Sequence, residues 1–221
     1  MESFLIYAHI FTGGTALLTG LILMFRPKGT RTHIRLGWVY AVSMFVICLS
    51  ALTIISFYRF SFFLMVVGVL TFYSTFVGIR VTRRKKVGTE KWYDWGAALV
   101  TCLFAFGLFG YAIYIFYVAG WHWVGFLSVI FGTLTFSNGW KDLVCFYKQQ
   151  TRHPQWWLHN HINAMGSSYI AAVTAFVVQN GDAWMPDTSF QWLFWVLPGA
   201  IGGTIISRVI RKYKTTSNEA T

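Results

Sequence analysis

Two histidines, His33 and His161, each open an apolar run and are followed by the same small pattern. The first reads His33-Ile34-x-x-Gly37-x-x-Tyr40, the second His161-Ile162-x-x-x-Gly166-x-x-Tyr169, with one inserted residue between them. At helical spacing His33, Gly37, Tyr40 and Met44 form one stripe, and His161, Met165, Ser168 and Ala172 form another. Neutral imidazoles at matched depth on two helices can hold a metal ion or ligate haem iron from both sides. The candidate cofactor site is therefore His33 and His161 with Tyr40, Met165 and Ser168, joined by His9 from the first apolar run. The expected cofactor is haem b or a divalent metal. Asp94 and Asp142 stand at helix ends, where they could add oxygen ligands to His33 and His161 or serve as a base. The competing reading makes these histidines interfacial residues bonded to carbonyls or headgroups, and it fits His122, His153 and His159 best. His159 and His161 would lie about 200° apart on one helix, so they cannot share an ion there.

The elements that must carry these residues are membrane helices. The chain is 221 residues long, 56% hydrophobic and only 11% charged, whereas soluble domains carry about 25% charged residues. Apolar runs predict seven transmembrane helices near residues 3–25, 34–57, 60–82, 93–118, 121–144, 158–180 and 189–210. One integral membrane domain thus spans 1–221, an all-α polytopic bundle. Seventeen of the eighteen lysines and arginines fall in 26–35, 80–91, 141–152 and 208–214, on alternate loops and the C-terminal tail. Only Arg59 falls on the other side, with Asp182 and Asp187. Basic short loops face the cytoplasm, so the N-terminus is expected outside and the C-terminus inside, with the chain multi-pass in the cell's inner (cytoplasmic) membrane. The basic excess is then a topogenic, lipid-facing signal, and no nucleic-acid partner is expected. Tryptophans near both boundaries, such as Trp92 and Trp140 or Trp121 and Trp184, agree with aromatic belts. Glycines 13, 14 and 20 on the first helix, and 199, 202 and 203 on the last, are expected at close helix contacts. The three cysteines sit singly in apolar runs and read as core residues.

The His-Ile…Gly-x-x-Tyr match, with Ile10-Phe11-Thr12-Gly13 against Ile130-Phe131-Gly132-Thr133, suggests a parallel 3+1+3 repeat. Helices 1–3 would correspond to helices 5–7, with helix 4 as linker. Three functions follow from these residues. The first is haem or metal binding for redox or sensing, the second small-solute transport, and the third metal-dependent hydrolysis at the membrane. No Walker loop, GxSxG, HExxH or potassium-filter motif occurs, and no Asp, Glu, Lys or Arg stands at mid-helix. Expected partners are the lipid bilayer and a small-molecule ligand of unspecified identity, with a homo-oligomer left open.

The residues His9-Ile-Phe-Thr-Gly13 through Gly20, followed by His33-x-x-x-Gly37-x-x-Tyr40, resemble a family of bacterial membrane proteins of unknown function. Trp156-Trp157-x-x-x-x-His161 through Phe176 and Asn180 is similar to a variant of that family. The resemblance implies a polytopic membrane location and importance for His9, His33 and His161, and it supplies no activity.

Overall fold

A computed structural model describes residues 2–58, 60–86, 88–149, 155–185 and 192–218; Arg59, Arg152, His153 and Asp187 lie outside them. The described residues form seven helices and no strand: α1 (Glu2–Phe25), α2 (Arg31–Phe57), α3 (Phe62–Arg83), α4 (Trp92–Ala119), α5 (Trp123–Lys148), α6 (Trp156–Trp184) and α7 (Leu193–Asn218). Six of them are long and apolar enough to cross a membrane. The exception is α5, whose second half carries Ser137-Asn138-Gly139-Trp140-Lys141-Asp142 in place of branched apolar residues. Large apolar side chains such as Phe4, Phe11, Leu103, Ile113 and Val196 are exposed on the outer faces of the helices. A patchwork of that extent suits lipid and not water.

Helix α2 begins three residues earlier than its apolar run. Thr30 is the N-cap, and its hydroxyl oxygen accepts the backbone N–H of His33 at 3.2 Å. That cap satisfies one of the free amides of the first turn and places His33 inside the helix. Helix α6 likewise starts at Trp156, so His159 and His161 both lie in it and point apart.

Packing divides the chain into two compact units, residues 1–81 with 158–221, and residues 82–157. In the first unit α6 is the shared neighbour. It meets α1 where the Tyr169 ring covers Gly20, and α7 where Ile170 covers Gly202. Gly13, Gly14, Gly199 and Gly203, expected at such contacts, have open space where a Cβ would stand. Helix α6 meets α2 through Tyr40, Ser168 and Tyr169. Contacts between α2 and α6 advance in the same chain direction, from His33 with His161 to Tyr40 with Ser168, so the two helices run parallel.

The second unit is an antiparallel hairpin of α4 and α5. Buried Ala98, Cys102, Ala105, Leu108 and Ala112 of α4 face buried Gly125, Ser128, Gly132, Thr135 and Gly139 of α5. Both stripes advance by steps of three and four, which keeps small residues along one seam. A Cβ on Gly139 would meet Cys102 Sγ at 2.8 Å and the Ala98 carbonyl oxygen at 2.9 Å. Only glycine lets the backbones come that close. The grouping joins α5 to α4, and not to α6 and α7.

Candidate functional site

The two histidines singled out by their spacing come together in the first unit. The rings of His33 and His161 are 6.5 Å apart between centroids, edge-on at 72°. The Nδ1–H of His161 donates to the Gly78 carbonyl of α3 at 2.8 Å. This fixes the tautomer and leaves the Nε2 lone pair of His161 for another partner, the way a ligating imidazole is usually held. His33 Nδ1 is buried and has no hydrogen-bond partner. An orphaned buried polar nitrogen costs about 1–3 kcal/mol, so it calls for a group that would satisfy it.

Met165 stands one turn beyond His161 on α6. Its Sδ and Cγ fill the space that a side chain at Gly78 would need. One glycine therefore serves two roles, receiving the thioether and accepting from His161. Lys28, in the loop before α2, donates through Nζ to the Met24 carbonyl at 3.2 Å and to the Leu23 carbonyl. This holds its ammonium at the end of α1, five residues before His33.

Two turns deeper, Tyr40 is 2% exposed and its hydroxyl is 2.8 Å from Ser168 Oγ. The Ser168 hydroxyl donates to the Met165 carbonyl at 2.9 Å, so Tyr40 is the donor to Ser168. The Tyr169 ring packs at 6.3 Å from Tyr40, and its hydroxyl donates to the Leu17 carbonyl at 3.2 Å. Both hydroxyls expected in the cofactor site are thus engaged with the protein, and they act as a clamp between α2 and α6.

The remaining sequence candidates have other partners. His9 Nδ1 is 3.0 Å from Ser50 Oγ. Ser50 is seventeen residues beyond His33 on α2, about 25 Å along the helix axis. His9 is therefore outside the His33–His161 pair. Asp94 and Asp142 both belong to the second unit. Asp94 is 3% exposed and accepts from the Lys91 backbone N–H at 3.0 Å as the capping box of α4. Asp142 Oδ1 lies 3.9 Å from Nη2 of Arg84. Among the described residues no three His, Cys, Asp or Glu side chains gather to hold a metal. Within the second unit Asp94 caps α4 and Asp142 stands beside Arg84.

Sequence reasoning missed Gly78 and Lys28 in the first unit, and the burial of Arg84 in the second. Gly78 had a signal, since Thr71, Thr75 and Gly78 fall on one face of α3, and Thr71 in turn meets Cys48 of α2 at 3.3 Å. Lys28 and Arg84 looked like topogenic charges. Arg84 is in fact 2% exposed, with its guanidinium 4.3 Å from the Phe146 ring centre, and its Nε and Nη1 lack hydrogen-bond partners. Comparison with protein-family models, curated proteins and solved structures finds no match to this chain.

Proposed function

We propose that this is a multi-pass membrane protein that binds a metal ion through His33 and His161. The observation carrying the reading is the pairing itself. Two histidines 128 residues apart meet, one held by a carbonyl and the other with a buried, unpartnered Nδ1. A metal ion between them would satisfy that nitrogen, and the role read for such an ion is redox or sensing. The segregation of basic residues supports a seven-span topology with the N-terminus outside, which puts the pair at the cytoplasmic face. Haem b fits less well. The Tyr40–Ser168 bond and the Tyr40–Tyr169 contact draw α2 and α6 together, and a porphyrin between the rings would have to part them. A hydrolytic site would need a third protein ligand and an open position on the metal.

Small-solute transport is the second reading, and one observation favours it. Helix α2 makes polar contacts at four levels, His33 with His161, Tyr40 with Ser168, Cys48 with Thr71, and Ser50 with His9. They cover about 25 Å of a hydrocarbon core about 30 Å thick. The parallel 3+1+3 repeat that would accompany such a transporter rests on the sequence match alone.

Metal analysis and a visible spectrum of the detergent-purified protein test the proposal. The wild type should carry a stoichiometric metal, lost in both His33→Ala and His161→Ala while the fold is kept. Unchanged metal and haem content across the three proteins would sink it.

A further inference from the structure

Resting on that reading, we propose that the metal is copper(I), held by the two imidazoles and the thioether of Met165. The first argument is the donor set. Residues 3–81 and 158–181, which supply α1, α2, most of α3 and all but the end of α6, contain no Asp or Glu. The groups gathered at the pair are neutral nitrogen and sulfur, with Met165 and His161 both against Gly78. Hard dications such as magnesium and calcium require oxygen donors, whereas a thioether beside imidazoles favours softer ions, copper(I) among them.

Charge points the same way. Lys28, five residues before His33, is fixed on the α1 carbonyls. Coulomb repulsion scales with the charge of the ion, so the ammonium opposes a dication twice as strongly as a monocation. Residues 3–81 and 158–181 supply no carboxylate to offset it.

Spacing supplies the third argument. With metal–nitrogen bonds of about 2.0 Å and each nitrogen about 1.1 Å from its ring centre, a linear arrangement puts the centroids about 6.2 Å apart, and a tetrahedral one about 5 Å. The observed 6.5 Å lies by the linear value. Copper(I) accepts two nearly opposed nitrogens with a third ligand at the side, while zinc prefers the tetrahedron. The rings stand at 72°, and the broad χ2 of histidine lets a nitrogen turn toward an ion between them.

The experiment titrates the full-length protein in detergent, without oxygen, with copper(I) against a chromophoric copper(I) chelator. Zinc(II) and cobalt(II) are titrated in parallel. Copper(I) should bind at least about 100-fold more tightly than either dication, and Met165→Leu should weaken copper(I) by about 10-fold, the scale of losing one supporting contact at a metal. The same variant should leave dication binding unchanged, and X-ray absorption should show a sulfur neighbour that Met165→Leu removes. Dications that bind as tightly as copper(I), and lose affinity in His33→Ala, would overturn copper(I) while keeping the metal site. Copper(I) binding indifferent to Met165→Leu, with no sulfur neighbour, overturns the thioether ligand. Failure of every ion to bind, or binding that ignores His33→Ala and His161→Ala, overturns the underlying reading.

Discussion

The α4–α5 hairpin and the α2–α6 contact solve the same problem, two helices side by side in an apolar medium, by different means. The hairpin closes on small residues. Gly125, Gly132 and Gly139 let α5 sit against Phe116, Phe109, Leu108, Cys102 and Ala98 in descending order along α4. Dispersion over a long, close seam holds it, and its partners are near in sequence. The α2–α6 contact joins residues more than a hundred positions apart, and polar pairs set its register. Such pairs contribute about 0.6 to 2 kcal/mol each within a membrane. They stabilise little more than packing would, yet they bring lone pairs and thioethers to one place. The comparison teaches that a long seam of small residues can hold two helices with little polar chemistry, whereas polar side chains gather where partners distant in sequence must be matched.

The sharpest way to break the comparison is to overfill the seam. Gly139→Leu should destabilise the protein by about 3 kcal/mol, near the upper end for overpacking, because the backbone carbonyl of Ala98 cannot move aside cheaply. Thermal unfolding in detergent would show it, and an unchanged transition would mean that the seam is looser than its distances. Next come the two halves of the clamp. Ser168→Ala leaves the buried Tyr40 hydroxyl with no acceptor and should cost about 2 kcal/mol. Tyr40→Phe leaves Ser168 still bonded to the Met165 carbonyl and should cost nearer 1 kcal/mol. Equal losses would contradict the donor direction assigned to this pair.

Gly78→Ala probes the other side of the contact. Its Cβ would collide with Met165, so metal affinity should fall by about 10-fold, about 1.4 kcal/mol, with a smaller change in unfolding temperature. Affinity that holds steady while stability drops would place Gly78 in packing alone. Gly37→Ala should do least. It lies on the His33 stripe but has open space around it, so alanine should be neutral or stabilise by up to about 1 kcal/mol through lower chain entropy. A large loss there would show that another chain or ligand covers this face.

Much of this architecture is written in hydropathy. Each of the seven apolar runs became a helix, since a long run of branched and aromatic residues with capping and turn signals at its ends has few other ways to satisfy its backbone. The α4–α5 seam was equally readable in the three-and-four spacing of its small residues, although the glycines of α1 and α7 drew attention first. The pairing of His33 with His161 was also foreshadowed, by the matching patterns that put both at the start of a helix. Three things depended on the tertiary structure. Asp94 and Asp142 look like ligands in the sequence because a carboxylate near a helix end has the same spacing whether it caps that helix or reaches a metal; the structure shows the first capping α4 and the second beside Arg84. His9 shares its residue type with the pair, but α1 packs on α2 so that it meets Ser50 and not His33. Gly78 contributes through its carbonyl, and a backbone acceptor leaves no mark in residue type. Helix periodicity assigns faces locally, but which face meets which is set by long-range packing, and the site exists only where those faces meet.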